Sequence, residues 1–324
     1  MLADSLPSLD TPWLHPQTGQ PMRRLEFHIT YHCPEKCTFC SEEHRMDAYN
    51  EFPVTFGRVA RVLRENAQRG VESVHFTGGE PTIHPQFVEI LQLAKKLGLR
   101  TSIGTIGTRL SDAAFADRAM PFLDEALFSL HGPDAATHDA LTRRKGSFDR
   151  LMRAIEHGRK KPNFRPFINT VLVRDNASRL VETTRLARSV NAALLVVSNV
   201  TPEGAGEDEY VRLTCRIDEI RPLVPSVIKA AGDDMVVRFF GIPACALGEY
   251  RMFANDIHWN PRVTYEWQRL PDRVSLSGIY SWAPDRKRQY VEACDGCSWR
   301  GLCHGVFARY VQEYGPAEVS PLRS

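Results

Sequence analysis

Cys33, Cys37 and Cys40 sit on one short stretch, Cys33-Pro-Glu-Lys-Cys37-Thr-Phe-Cys40. Cys294, Cys297 and Cys303 form a second group near the far end of the chain, with Cys245 upstream of it. Thiolates ligate soft metals and iron–sulfur clusters. Three on one loop can hold three corners of a cubane and leave one iron open to a ligand from outside the protein. Read instead as zinc, the loop needs a fourth ligand, since structural zinc takes four, and His32 or His44 are the residues at hand. The second group, Cys294-x2-Cys297-x5-Cys303 with Cys245, suits a zinc ribbon or another cluster, and spacing does not separate the two.

A second chemical signal is Thr77-Gly78-Gly79-Glu80-Pro81. Glycines let a ligand come close to the backbone, and a carboxylate is a charge partner for an ammonium group. By itself such a segment is a tight turn. Its place in the chain gives it meaning, because it ends an apparent strand directly after the one that precedes the first cysteine loop.

The elements that must position these residues alternate along the chain. Strand-like stretches are Leu25–Tyr31, Ser73–Thr77, Arg100–Thr105, Glu125–His131, Phe167–Val173 and Ala193–Asn199. Between them lie helical patterns such as Val54–Gln68, Gln86–Leu97, Phe148–Arg159 and Ser178–Val190, the last with a capping signal at Asn176-Ala177-Ser178. Such alternation implies an α/β fold with a parallel sheet, open or curled into part of a barrel. Leu25, Phe27 and Ile29 share one face of the first strand, and Glu26, His28 and Thr30 the other. His75 and Thr77, and likewise Ser129 and His131, repeat that polar face on later strands. Helices cover the apolar side, so the lumen is polar and suits a cavity that holds something, the alternative being that each histidine serves core hydrogen bonding. After Thr201-Pro202-Glu203-Gly204 the rhythm breaks. A helical stretch (217–231), an apolar run (235–242), a Pro-, Trp- and Arg-rich segment and a last amphipathic helix (304–313) follow.

The bulk numbers exclude little but are consistent. The 324 residues carry a net charge of +2, with 43% hydrophobic and 25% charged residues, the profile of a globular protein. No nucleic-acid partner is expected from that charge, and the clusters 143–145, 159–161 and 286–288 read as solvated faces. No run of 18 apolar residues exists, and the first 20 residues resemble neither a signal nor a transit peptide. A cytoplasmic protein without a membrane partner is therefore expected. Its 8 cysteines then need a role other than disulfides.

The Cys-x3-Cys-x2-Cys spacing with Phe39 before the last cysteine, followed by Gly78-Gly79-Glu80 after the next strand, resembles the radical S-adenosylmethionine (SAM) superfamily. The resemblance implies a partial (β/α)6 TIM-like barrel and a [4Fe–4S] cluster on Cys33, Cys37 and Cys40. It also implies reductive cleavage of SAM to a 5′-deoxyadenosyl radical, with an electron donor such as flavodoxin or ferredoxin. It further implies that Phe39 packs on adenine, that Thr77, Gly78, Gly79 and Glu80 hold the methionine amino group, and that Ser129 and Asn169 contact ribose or carboxylate. The segment around Val197 would read adenine through its backbone. One departure is Thr105-Ile106-Gly107-Thr108, where many relatives carry Thr-Asn-Gly-Thr. The second cysteine group resembles auxiliary-cluster domains of the SPASM and twitch type, with Phe307 where a further cysteine would fall. One auxiliary [4Fe–4S] cluster on Cys294, Cys297 and Cys303 is implied, with Cys245 as its fourth ligand or else an open iron that could bind substrate.

The expected division is a lead segment 1–22, the barrel 23–205, a connecting helix and strand 206–240, and the auxiliary domain 241–324. The expected activity is hydrogen abstraction from a peptide or small metabolite, leading to cross-linking, dehydrogenation or epimerisation. The short lead segment argues mildly for a small molecule, or for a peptide delivered by a partner. Cys215 and Cys245 are candidate hydrogen donors to the product radical, Cys215 otherwise being an inert buried thiol. A structural zinc at the second group and a non-catalytic metal scaffold are the alternatives.

Overall fold

The computed structural model describes residues 14–15, 18–162 and 164–323. Much of the expected lead segment, residues 1–13, 16 and 17, lies outside the described residues. Nine strands form one sheet in the order β7-β6-β5-β4-β3-β2-β1-β8-β9. They are β1 (Arg24–Thr30), β2 (Ser73–Gly78), β3 (Arg100–Thr105), β4 (Glu125–Ser129), β5 (Arg165–Leu172), β6 (Leu194–Asn199), β7 (Val236–Phe240), β8 (Arg262–Arg269) and β9 (Val274–Ser281). Neighbours from β1 to β7 run parallel, as does β8 beside β1, and only β9 is antiparallel. This is the expected partial barrel, with a smaller C-terminal part that includes a two-stranded ladder of Arg288–Gln289 and Val306–Phe307.

The strands curl because one face of each is apolar and capped by helices. Leu25, Phe27, Ile29, Val74, Phe76, Ala126 and Phe128 are fully buried. Against them pack helices such as Phe56–Gln68, Phe87–Lys96 and Ser147–Arg159, through Leu63, Ile90, Leu91, Leu151 and Ile155. At roughly 25 cal/mol per Å² of apolar area removed from water, burial of this kind is the main term holding the barrel closed.

Three elements differ from expectation. The stretch 217–231 is two helices, Ile217–Ile220 and Leu223–Ala231, parted at Arg221-Pro222, where proline has no N–H to donate. Asn176 does not cap the helix Leu180–Ser189. It lies buried and its side chain ties Val173 N, His131 O and Val171 O together at 2.9, 3.0 and 2.9 Å. The last helix begins at Ala308, after the strand Val306–Phe307. The sheet also continues past residue 241, for β8 and β9 flank β1 on the side away from β2.

Candidate active site

The first cysteine loop leaves the C-terminal end of β1, the end where parallel α/β folds place chemistry. Backbone contacts fix it from two sides. Lys36 N and Thr38 N donate to the carbonyls of Thr142 and Leu141 at 3.1 and 2.9 Å, and Ala205 N donates to Cys40 O at 2.9 Å. Arg144 donates to Pro34 O at 2.5 Å, so this part of the basic cluster 143–145 clamps the loop and is no solvated face. Gly204 is required beside it, because a Cβ there would collide with Cys40 O.

All three thiols are half-buried. Burial first, and neighbouring acidic groups second, push Cys33 up to about 12 and Cys40 to about 11, and raise Cys37 further. Opposing that rise, the backbone N–H groups of Glu35 and of Glu42 and Glu43 donate to Cys33 and Cys40. Such donors stabilise thiolates and tune sulfur ligands of clusters. Among the described residues no three His, Cys, Asp or Glu side chains are drawn together as ligands of one ion. Of the two histidines that a zinc reading needs, His32 is exposed and His44 pairs with Asp208 at 2.9 Å. The donor set, three thiols with backbone N–H groups aimed at two of them, fits a sulfur-ligated cluster.

Gly78 and Gly79 have a packing role in the fold. Gly79 N donates to Thr30 O and Glu80 N to His32 O, both at 2.8 Å. A Cβ on Gly78 or Gly79 would meet the carbonyl oxygen of Thr30 or His32. The close approach is thus made by the cysteine loop's own backbone, and these glycines set that loop against β2. Glu80 is fully buried and accepts from Thr82 N at 3.1 Å, Thr105 Oγ1 at 2.8 Å, Ile106 N at 2.8 Å and the Thr82 hydroxyl. Its carboxylate is therefore committed to the loops after β2 and β3 and is not presented to an ammonium group. Thr105 and Ile106 do this tying in the segment that lacks the asparagine of relatives.

Phe39 is buried against His131, with ring centroids 4.7 Å apart. His131 stacks in turn on His138 at 5.7 Å. Val171 N donates to His131 Nδ1 at 3.2 Å, and His131 N donates to His138 Nδ1 at 3.1 Å. His131 is thus a core hydrogen-bonding residue. Both rings must keep Nδ1 unprotonated, and burial holds His131 well below the ordinary range and His138 at about 4. The folded state then binds fewer protons than the unfolded chain, so stability is lost as pH falls through the unfolded value. Between about pH 6.5 and pH 5 each histidine should cost about 2 kcal/mol. Denaturant unfolding at the two pH values checks this, and a His138→Gln variant with an unchanged slope would refute it.

The lumen carries the polar side chains that the alternation implies among apolar ones such as Leu127, Phe167 and Phe240, and holds a cavity of about 1150 Å³. Glu26, His75, Ser102, Asn169 and Ser198 line it, with Ser198 donating to Asn169 Oδ1 at 2.7 Å. Burial, followed by the charge of Arg24, holds His75 at about 3, and Ser102 Oγ lies 2.9 Å from its Nδ1. Thr77 and Ser129 are half-buried and not among the lining residues, although Ser129 pairs in register with Asn169. Val197 faces the core, fully buried, and its backbone runs between β5 and β7. Val196 and Ser198 are the residues of β6 that face the cavity there. The cysteines themselves lie outside the lining. Thr201 and Glu203 do line it, from the segment that leads into the Ala205 clasp. Sequence reasoning missed that β8 and β9 supply Arg262, Thr264 and Tyr280 to the other wall. A strand–turn–strand pattern around Leu270-Pro271-Asp272-Arg273 was the available signal.

The second cysteine group assembles across the C-terminal part. Ala244 N donates to Cys303 Sγ at 3.5 Å and Leu322 N to Cys297 Sγ at 3.4 Å. Burial raises Cys245, and the nearby thiols of Cys303 and Cys294 raise it further. Cys245 therefore lies near Cys303 and Cys294, and thiols that accept from backbone N–H groups are of the kind that suits a sulfur-ligated centre. Cys215 is 1% exposed in the apolar core, and neither it nor Cys245 lines the cavity. Cys215 is positioned as an inert thiol and not as a hydrogen donor into the lumen. Arg288, in the third basic cluster, is buried in an ion pair with Asp256 at 2.8 Å and is no solvated residue. Phe307 packs on Gly241 and lines the cavity.

Comparison with known proteins agrees with this geometry. Residues 27–187 match the family model described as the Radical SAM superfamily. The chain is 29% identical over 192 residues to a PqqA peptide cyclase of Rhizobium meliloti (strain 1021), covering 59% of this chain and 50% of that protein. It is 28% identical over 210 residues to the mycofactocin maturase MftC of Mycolicibacterium smegmatis, covering 64% and 52%. The chain spans about half the length of these curated relatives. Among solved structures, SuiB of Streptococcus suis bound to S-adenosylmethionine superposes with a TM-score of 0.61 at 16% identity, over 94% of this chain and 76% of that one. This last likeness is one of fold. No helix of the described residues is long and apolar enough to cross a membrane.

Proposed function

Because residues 27–187 form a radical SAM domain, we propose that this protein is an enzyme that cleaves S-adenosylmethionine reductively and modifies a peptide. The carrying observation is the three-thiol loop, clasped by Ala205 and Arg144, at the C-terminal end of a parallel barrel with polar side chains in its lumen. Cys33, Cys37 and Cys40 would hold a [4Fe–4S] cluster, and Cys245, Cys294, Cys297 and Cys303 an auxiliary one. When bound, the first cluster supplies the electron that opens the sulfonium bond to C5′ and so yields a radical able to take hydrogen from carbon.

The chain's own part is positioning. Glu80 locks the loops after β2 and β3, Gly79 sets the cysteine loop on β2, and Phe39 buttresses it on His131. Asn169 and Ser198 offer polar contacts in the lumen. At about 1150 Å³ the cavity exceeds the roughly 300–1,000 Å³ of ordinary small-ligand pockets. That size, and the similarity to a PqqA peptide cyclase, support a peptide over a small metabolite. An external electron donor such as flavodoxin or ferredoxin completes the reading.

Anaerobic purification followed by metal analysis is the test. About eight irons per chain are expected, and about four irons with one zinc would make the second site structural zinc. With a reductant and S-adenosylmethionine, 5′-deoxyadenosine must appear. A colourless protein carrying zinc on the first loop, with no deoxyadenosine released, would sink the proposal.

A further inference from the structure

The lumen wall carries five arginines, and three of them have carboxylate partners. Arg262 pairs with Glu26 at 2.8 Å, Arg286 with Glu203 at 2.9 Å and Arg288 with Asp256 at 2.8 Å. Arg24 and Arg238 also line the cavity, yet neither forms an ion pair among the described residues. Arg24 Nε is buried without a hydrogen-bond partner, and Arg262 stands beside it in register on β8. Burial, and then that second guanidinium, hold Arg24 down to about 10 against the pull of Glu26 and Glu125, carboxylates already paired with Arg262 and Arg100. Arg238 donates only to the neighbouring Val237 carbonyl at 2.8 Å, and burial alone lowers it. Arg24 is thus a buried cation whose nearby carboxylates are taken by other arginines, and Arg238 is a half-buried one without an ion pair, so the natural complement of each is an incoming anion. Guanidinium groups take carboxylates in a two-point fork.

We propose that Arg24 and Arg238 receive carboxylates of the substrate, so that the lumen selects an acidic peptide segment. The registers relate the two across the sheet. Arg238 is level with Val196, Asn169 and Ser129, whereas Arg24 lies two residues below Glu26, which is level with His75, Ser102 and Glu125. The strand starts climb by four positions over the same registers, as barrel shear requires, so Arg24 opens β1 and Arg238 is the third residue of β7, about 7 Å higher at roughly 3.3 Å per residue. Two cations on strands so far apart in the sheet suit two carboxylates of one substrate. Arg24 is also too far below the cysteine loop to meet a cofactor held there. This inference rests on the peptide reading above.

The test uses anaerobically reconstituted enzyme loaded with S-adenosylmethionine, and four synthetic hexapeptides. Two carry glutamate at both ends and two carry glutamine there, each with a free or an amidated C-terminus. The glutamate peptides should bind at least about tenfold tighter than the glutamine ones, and Arg24→Gln and Arg238→Gln should each remove about that factor. A preference that follows only the free C-terminus identifies that terminus as the carboxylate source for one of the two arginines and keeps the anion site. Binding of S-adenosylmethionine should stay within about twofold in both variants, and their melting temperatures should match or exceed that of the wild type. Equal binding of the glutamate and glutamine peptides, loss of S-adenosylmethionine binding in Arg238→Gln, or a large fall in melting temperature would each overturn the proposal. Absence of deoxyadenosine from the wild type would instead refute the enzyme reading itself, so the two failures are distinguishable.

Discussion

Cys37→Ala should reduce release of 5′-deoxyadenosine by at least about a thousandfold, to the level of enzyme-free controls. The loop offers three thiols, and the donor on its far side, His44, is already paired with Asp208 at 2.9 Å. Nothing at hand replaces a lost ligand. Iron bound per chain should fall by about four while the fold persists, because Cys37 packs at the edge of a small apolar cluster with Phe39, Leu141 and Tyr210 and not in the main core. Cys245→Ala and Cys303→Ala should behave differently. They also lose about four irons, yet cleavage of S-adenosylmethionine without substrate should continue, and only turnover of the peptide should fail. If Cys37→Ala kept its deoxyadenosine yield, the three-thiol loop would not be the seat of the chemistry. If Cys245→Ala kept all its iron, the fourth ligand of the second group would lie elsewhere.

The lumen was legible in the sequence because strand periodicity is local. Glu26, His75 and Asn169 alternate with Phe27, Phe76 and Ile168, and that alternation alone decides which side chains face inward. The cysteine loop was legible for the same reason, since ligand spacing is written within eight residues. What was not legible depends on long-range pairing. β8 lies parallel to β1, matching Arg262 to Arg24 across more than two hundred residues, and no periodicity foretells that register. The packing role of Gly79 was illegible likewise, because the group crowding it is His32 O on another segment, an atom that every residue type carries. Arg144 and Arg288 looked like solvated charge, and only the fold shows the carbonyl and the carboxylate that hold them.

Replacing Glu80 by alanine should destabilise the protein by about 3–5 kcal/mol, the range for removing one member of a buried charged network. The comparison is with an exposed ion pair such as Arg212–Glu209, whose loss costs at most about 1 kcal/mol. Four donors converge on the carboxylate from Thr82, Thr105 and Ile106, and alanine would leave the buried ones unpaired. Glu80→Gln should cost less, about 1–3 kcal/mol, since the amide keeps one acceptor oxygen while turning its NH2 against donors. The pH dependence has a definite sign. Burial raises the Glu80 carboxyl above its ordinary value despite the four donors. Its titration therefore contributes stability at low pH that is lost as pH rises through the raised value, and Glu80→Gln should lack that slope. Gly79→Ala attacks the same junction from the other side, driving a Cβ into His32 O. Denaturant unfolding of the three variants, each at two pH values, measures all of this. Equal midpoints for wild type and Glu80→Ala would mean that the four donors find water instead, and the carboxylate would again be available to a ligand's ammonium group.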